Sequence, residues 1–211
     1  MTSHTSTERT PSSRSKKELV SEFRRAEIID AARTVFARRG FEGGIIDEIA
    51  KEANIAKGTV YLYFRSKSDI YQAVFDHDMK ALKLSTMDRM DSAVTLREKI
   101  EAFILTRLEN AETRKDFFRI MDAEQGHLSI SRGQYRSWLR EPVLHLAKAI
   151  EVAIQRREIA PVPAEKAAWA IADMTRGVIQ RRLLDQNGNT LRDEAASVLR
   201  FAWAALTNLY E

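Results

Sequence analysis

The sequence predicts an all-α protein. Of its 211 residues only 8 are glycine and 4 are proline, while 44% are hydrophobic and 30% are charged. Apolar residues recur every three or four positions over long stretches, which is the spacing of one face of a helix, and strand-like alternation is not sustained. Residues that favour helices, such as Ala, Leu, Glu, Lys and Arg, occur throughout. A chain of this length and composition can bury a substantial core of packed helices.

The N-terminal part combines an arm with a first helix. Residues 1–17 are rich in Ser, Thr, Pro and Arg without apolar periodicity, so we expect a disordered arm. Apolar residues then follow helical spacing from Ile28 to Phe36, and Gly40 is a typical helix stop. This pattern predicts a helix that starts near Ser21. An extension back to Lys16 stays open, because the apolar residues near the start fall on another face.

Two short helices are predicted next. Ile46, Ile49 and Ala50 mark the first, and the second runs from about Ala56 to Phe64. Asn54 between them suits a tight turn that contains a left-handed residue. Two short helices joined by such a turn form a helix-turn-helix, which lays its second helix into the major groove of DNA.

The second of these helices carries side chains suited to contact DNA. The residues expected to point outward are Lys57, Thr59, Tyr61, Leu62 and Tyr63, while Val60 and Phe64 anchor the helix to the core. Gly58 has no side chain that would obstruct the duplex. The alternative is that the two tyrosines are core aromatics. The net charge of +4 is concentrated in the first 70 residues, but a solvated surface would explain it equally well.

The rest of the chain predicts six more helices. They cover about residues 67–90, a stretch from 95 or 96 onward, and residues 116–124, 134–157, 164–184 and 191–209, with a loop at 126–133. Ser66 with Asp69, and Thr190 with Asp193, have the spacing of capping boxes. Pro142 must either kink its helix or mark that helix's true first turn.

Residues 24–75 carry an ordered set of short motifs: a helix, GF, a short helix containing IA, a turn, and GTVYLYFRSKSDI. This set resembles the N-terminal DNA-binding domain of TetR-family repressors. The matching positions are Gly40, Phe41, Ile49, Ala50, Gly58, Thr59, Tyr61, Tyr63, Phe64, Ser66, Lys67 and Ile70. The resemblance implies that Lys57, Thr59 and Tyr61 face bases or phosphates. It also implies that Tyr63 and Lys67 hold the DNA backbone.

Some positions depart from the family pattern. Gly44 and Ile45 stand where two threonines are common, so a hydroxyl cap and a hydroxyl–phosphate contact are missing. A glycine N-cap is serviceable, and the helix amides behind it can still meet a phosphate. Ala56 replaces the serine that usually caps the recognition helix, and Asn54 replaces a glycine. We expect these changes to weaken or redirect DNA binding without abolishing it.

The resemblance also implies a fold of nine helices in three parts. These are the arm at 1–17, a three-helix helix-turn-helix domain at 18–66, and a helical effector-binding and dimerisation domain at 67–211. The last two helices would form a four-helix bundle with a second copy. Small and large apolar residues alternate along both helices, at Ala167, Ile171, Met174, Val178, Ala195, Val198, Leu199, Ala202, Ala205, Leu206 and Leu209. A core within one chain would explain either stripe equally well.

The family's effector pocket lies among the middle helices. The candidate lining residues in this sequence are Phe103, Arg107, Phe117, Phe118, Met121, Trp138, His145, Trp169 and Arg176. Aromatic side chains with a few cations suit a largely apolar pocket for an aromatic or acidic small molecule. For each of these residues, ordinary core packing is the alternative.

Several function classes are disfavoured by the sequence. The absence of cysteine removes disulfides, thiolate metal sites and cysteine nucleophiles. The four histidines are scattered, and His77 with Asp78 is expected on a solvated helix face. Without a catalytic or nucleotide-binding motif we expect no enzyme, metal or cofactor. Without a signal peptide or an apolar run long enough to span a membrane, we expect a cytoplasmic protein.

Two functions remain open at this point. The first is a repressor that binds a palindromic operator as a homodimer and is released by a small-molecule effector. The second is an architectural or interaction protein of the same fold that binds DNA without an effector. A cavity of several hundred cubic ångströms among the middle helices would favour the first, and a filled core would favour the second.

Overall fold

A computed structural model describes residues 15–115, 132–184 and 190–208, and these ranges contain eight helices and no strand. The helices are α1 (Lys16–Gly43), α2 (Ile46–Glu52), α3 (Lys57–Tyr63), α4 (Lys67–Asp91), α5 (Leu96–Thr113), α6 (Arg132–Gln155), α7 (Ala164–Leu184) and α8 (Leu191–Asn208). The predicted all-α fold is confirmed. The helix predicted at 116–124 and the first 14 residues of the expected arm lie outside the described residues.

Helix α1 begins earlier than Ser21 because Ser15 caps it. The Ser15 hydroxyl accepts a hydrogen bond from the Glu18 amide at 3.2 Å, and the Glu18 carboxylate accepts one from the Ser15 amide at 2.8 Å. This reciprocal capping box satisfies two amides that would otherwise lack partners. At the other end, Gly40 has φ 71°, a left-handed conformation that glycine adopts without strain. The first helix is therefore interrupted at Gly40, as predicted, and Phe41–Gly43 continue it after the break.

The boundaries of the later helices follow the predictions closely, except at the helix that carries Pro142. Thr95 is the N-cap of α5 and forms a capping box with Glu98. Helix α6 starts at Arg132, so the predicted loop at 126–133 overlaps its first residues. Pro142 lies well inside α6, and the alternative that it marks the first turn of that helix is wrong.

Helix α4 packs against α1 as well as against the later helices. The ring of Tyr71 on α4 lies edge-on to Phe36 at 5.3 Å and to Phe41 at 5.2 Å between centroids. Edge-to-face packing of this kind adds to the free energy gained by burying the rings. The buried side chains form one continuous cluster that extends from α1 to α8.

The apolar stripes of α7 and α8 face the core of their own chain. Ile171, Val178, Ala195, Val198, Leu199, Ala202 and Leu206 are all buried. The interpretation of these residues as dimer contacts is therefore wrong, because a side chain buried within one chain cannot also cover a second. Met174 and Ala205 are exposed and stay available, whereas Leu209 lies outside the described residues. Within the described ranges, no helix is long and apolar enough to cross a membrane.

Candidate nucleic-acid interface

Helices α2 and α3 form a compact pair around a tight turn. The amides of Ala53 and Ile55 donate to the carbonyls of Ile49 and Ala50, both at 2.9 Å. Asn54 adopts φ 53°, the left-handed conformation predicted for this turn. An asparagine tolerates that conformation better than most residues other than glycine. The turn thus fixes the direction in which α3 leaves α2.

Helix α3 has one buried face and one exposed face. Val60 is fully buried, and Phe64, which caps the helix, is 3% exposed. On the opposite side Tyr61 is 49% exposed and Leu62 is 81% exposed. Both side chains therefore point outward, as predicted. Lys57 and Gly58 are exposed as well, whereas Thr59 and Tyr63 are half-buried.

Arg25 holds the C-terminal end of α3 in place. Its guanidinium group lies 4.3 Å above the ring of Phe64 and donates to the Tyr63 carbonyl at 3.4 Å. A cation over an aromatic face and a hydrogen bond to a terminal carbonyl both stabilise a helix end. The sequence analysis did not select Arg25, because its place on α1 gives no sign of contact with residues 38 positions later.

Lys57 is paired with the neighbouring helix. Its ammonium group donates to the Asp47 carboxylate of α2 at 3.0 Å. This hydrogen bond, together with the opposite charge of Asp47, raises the pKa of Lys57 above its ordinary value. Lys57 is therefore held beside Asp47, and the donors of its ammonium group that Asp47 does not use remain available for a phosphate or a base.

Lys67 and Gly44 have structural contacts that the sequence did not indicate. The Lys67 ammonium donates to the Glu42 carbonyl at 3.2 Å and lies 4.4 Å from the centroid of the Phe41 ring. Gly44 is buried, and its amide donates to the Gly40 carbonyl at 3.1 Å. The expectation that Gly44 caps α2 is wrong, because the N-cap is Ile45, which is 50% exposed and forms no side-chain cap.

A buried carboxylate joins α1 to α4 and α5. Asp78 on α4 is fully buried, although a solvated position was expected for it. Its carboxylate forms ion pairs with Arg33 of α1 at 2.9 Å and with Arg114, the C-cap of α5, at 2.6 Å. Burial acts to lower the pKa of Arg33, but the hydrogen bonds to Asp78 and Asp30 more than offset it, so that pKa is raised. Three helices therefore meet at one charge cluster.

Comparison with known proteins identifies the helix-turn-helix region. The sequence profile described as "Bacterial regulatory proteins, tetR family" matches residues 28–74, which run from α1 through α2 and α3 into α4. Residues 28–74 are therefore similar to the DNA-binding region of tetR-family transcriptional regulators, and α3 stands in the place of the recognition helix in that region.

The similarity to known regulators extends beyond the DNA-binding region. It is 25% identical over 150 residues, 70% of this chain and 78% of the other, to an uncharacterized HTH-type transcriptional regulator of Bacillus subtilis, YhgD. Over 46 residues, 22% of this chain and 25% of the other, it is 46% identical to the negative regulator IcaR of the icaADBC biofilm operon of Staphylococcus aureus. The structure of the regulator FadR from Bacillus subtilis, in complex with stearoyl-CoA, has the same fold. Its TM-score is 0.70 at 24% identity, covering 84% of this chain and 96% of that one.

The predicted effector residues fall into separate environments in this fold. Phe103 and Arg107 are buried on α5, where the Arg107 guanidinium group lies 5.1 Å from the Phe103 ring and donates to the Ala172 carbonyl at 3.1 Å. Arg107 and Trp138 line one small crevice of about 20 Å³. A space of that size holds about one water molecule.

The remaining candidates do not line that crevice. His145 contacts Asp91 at 2.7 Å and lines a different opening. Trp169 lies beneath the Arg136 guanidinium group, 4.6 Å from its carbon to the ring centroid. Arg176 is half-buried on α7. Phe117, Phe118 and Met121 lie outside the described residues. Within the ranges that the structure covers, no group of three or more His, Asp or Glu side chains could hold a metal ion.

Proposed function

We propose that this chain is a repressor that binds a palindromic operator as a homodimer and releases it when a small-molecule effector binds. The exposed face of α3 is the observation that carries the DNA-binding part of this proposal. Leu62 and Tyr61 are open to solvent beside Lys57 and Gly58, while Val60 and Phe64 fix the helix beneath them. An apolar side chain can contact a thymine methyl group, and a lysine or tyrosine can contact a base edge or a phosphate.

The proposed contact residues follow from this face and from its neighbours. They are Ile45, Lys57, Gly58, Thr59, Tyr61, Leu62, Tyr63 and Lys67. Gly44 supports the set from below, because its missing side chain lets the backbone before α2 lie against Phe36 of α1. Lys67 is partly engaged with Glu42 and Phe41, so its contact with the DNA backbone would use only the donors that remain free.

An exposed surface on α7 and α8 supports dimerisation. Phe201 on α8 is 72% exposed and Met174 on α7 is 37% exposed, beside small residues that would allow a close approach. Arg181 is on the same face of α7 as Met174, and Glu194 is on the same face of α8 as Phe201. Their ion pair at 3.7 Å indicates that the two faces are adjacent. A second copy placed against this surface would form a four-helix bundle.

The effector and the direction of regulation are the remaining parts of the proposal. Phe103, Arg107 and Trp138 provide aromatic surface and a buried cation on helices that also contact α4. Such a set suits a largely apolar molecule with an acidic group, but the crevice beside Arg107 holds about one water molecule, so that molecule would have to displace side chains to bind there. The stearoyl-CoA complex of FadR supports an effector of this kind, and the name of IcaR as a negative regulator supports repression.

Selection of binding sites from random DNA, followed by gel shift, tests this function. We expect an inverted repeat to be recovered, because one short recognition helix reads too few bases for useful specificity. Lys57→Gln should weaken binding to the selected repeat about tenfold or more, and it should relax the preference at one base position in each half-site. The matched control is Lys80→Gln, which removes an exposed lysine of α4. Recovery of single half-sites, or equal effects of the two substitutions, would contradict the proposal.

A further inference from the structure

A groove opens where α4 ends. It lies between the connection from α4 to α5 and the face of α6, and its volume is about 360 Å³. Small-molecule sites in proteins usually have volumes of roughly 300–1,000 Å³. The groove is far larger than the crevice beside Arg107, and it has different walls. It is therefore large enough to hold a small organic ligand.

The floor of the groove is apolar. Met90, Leu96 and Ala153 line it and are buried, being 1%, 5% and 2% exposed. Val152 on α6 is 36% exposed, and Val94 in the α4–α5 connection is 86% exposed. Covering exposed valines with a hydrocarbon group releases water and stabilises the complex. The floor thus favours a ligand that has an apolar part.

Three basic side chains reach the groove. The Lys99 ammonium group donates to the Met90 carbonyl at 2.7 Å, which fixes its position and leaves further donors for a ligand. Lys148 is exposed and forms no ion pair with another described residue. Arg156 lies 3.8 Å from Glu158, and an exposed pair at that distance contributes little. All three can therefore contact an anion without loss of a strong interaction.

The acidic residues of the groove do not cancel this charge. Asp91 forms a contact of 2.7 Å with His145 Nε2, and Glu158 lies beside Arg156. Three basic groups thus face two carboxylates, each of which already has a partner. Because the basic groups surround an apolar floor that excludes some water, their attraction for an anion is stronger than on an open surface.

We propose that this groove binds a small amphipathic anion. A carboxylate or phosphate group would lie between Lys99 and Lys148, and a short hydrocarbon part would cover Val94 and Val152. None of the residues that line the groove is on α7 or α8, so it stays open in the proposed dimer. Such a ligand would tie α6 to the last turn of α4, whose first turn follows the recognition helix. Only this link to DNA binding rests on the proposed function; the binding of the anion does not.

Calorimetry on the full chain tests the chemistry of the ligand. The probes are octanoate and octyl phosphate, with octanol as the control that lacks charge and inorganic phosphate as the control that lacks a tail. We expect at least one of the amphipathic anions to bind about tenfold or more tightly than both controls, because each partner of a charged hydrogen bond contributes measurably. The better probe identifies the headgroup. Equal binding of octanol, or no binding of either anion, would overturn the proposal.

Variants locate the site. Lys148→Gln should weaken binding of the better probe about tenfold, and Ala149→Leu should abolish it by filling the groove, while Lys80→Gln leaves it unchanged. Circular dichroism shows whether each variant is folded. Wild-type affinity in both groove variants would overturn the site.

Gel shift with and without the probe then tests the link to α4. An altered operator affinity supports this link, and an unaltered one overturns the link alone. Failure to bind any DNA without the probe would contradict the proposed function and not the groove.

Discussion

Two glycines of the DNA-binding region, Gly44 and Gly58, have opposite surroundings. A Cβ atom at Gly44 would lie 2.8 Å from the Phe36 ring and 3.1 Å from the Gly40 carbonyl oxygen, whereas a Cβ atom at Gly58 meets nothing within 4 Å. We expect Gly44→Ala to lower the free energy of unfolding by about 1–3 kcal/mol, as overpacking of a core does. Urea denaturation followed by circular dichroism measures it.

Gly58→Ala is the matched comparison, and its two readouts should move in opposite directions. In the first turn of α3 alanine should raise the free energy of unfolding by up to about 0.5–1 kcal/mol, because glycine has more backbone freedom to lose. The added methyl group points toward the proposed DNA surface, so operator binding in a gel shift should weaken. A variant that is more stable and binds the operator as tightly as the wild type would show that position 58 does not approach DNA.

At the scale of single residues, the sequence predicted the faces of helices well but not their long-range contacts. The exposure of Tyr61 and Leu62 and the burial of Val60 followed from helical spacing alone. Asp78 could not be placed in this way. Its neighbour His77 is exposed, and the residues that pair with Asp78 are 45 positions before it and 36 after it. Such partners are brought together by tertiary packing, which periodicity does not encode.

At the scale of elements, Asp78 fixes α4 against α1 and α5. Asp78→Asn would leave Arg33 and Arg114 without their shared carboxylate. Loss of one partner from a buried ionic cluster costs about 3–5 kcal/mol, and we expect a decrease of that order in the free energy of unfolding. Asp76→Asn, on the exposed side of the same helix, is the matched control and should have little effect. Urea denaturation of both variants at one pH measures the difference.

A second measurement shows whether Asp78 positions the DNA-binding region or only stabilises the fold. If the cluster sets the direction of the DNA-binding region, Asp78→Asn should tolerate operators whose half-sites are moved apart by one base pair better than the wild type does. The preferred bases within each half-site should stay the same, since α3 is unchanged. A variant that loses affinity equally for all spacings would indicate a structural role only.

Helix boundaries were predictable where a capping residue or a break is visible in the sequence. Gly40 ended the regular part of α1, and Thr95 capped α5. The start of α1 was missed because its first turns carry Leu19, Val20 and Phe23 on the surface, where no core imposes periodicity. There a capping box, and not an apolar face, defines the helix end.

At the scale of the whole molecule, the exposed surface of α7 and α8 predicts a dimer. Phe201→Glu would place a charge at the most exposed aromatic residue of this surface. We expect this variant to sediment as a monomer and to lose about a hundredfold in operator affinity, because two linked half-sites bind far more tightly than one. Leu84→Glu on α4, which changes another half-exposed apolar residue, is the control and should remain dimeric. A dimeric Phe201→Glu variant would exclude this surface as the interface.

The apolar stripes along α7 and α8 illustrate what a sequence leaves open. Their spacing identified packed helix faces correctly, but the same spacing serves a core and an interface equally well. A core and an interface differ in what covers the stripe, and here α5 and the adjacent helices of the same chain contact α7 and α8. The exposed residues between the stripes, including Met174 and Phe201, then become the surface that needs a partner.

The aromatic contacts of Tyr71 with Phe36 and Phe41 limit how this regulator can be recombined with others. A chimaera that takes only residues 15–66 would leave both phenylalanine rings without the side of the core that α4 supplies. The transplanted segment would need α4 at least as far as Met79, so that Tyr71, Phe75 and Asp78 travel with it. The part that can be exchanged as a module is therefore longer than the part that touches DNA. Any new sensor domain then has to pack against an α4 with which it did not evolve.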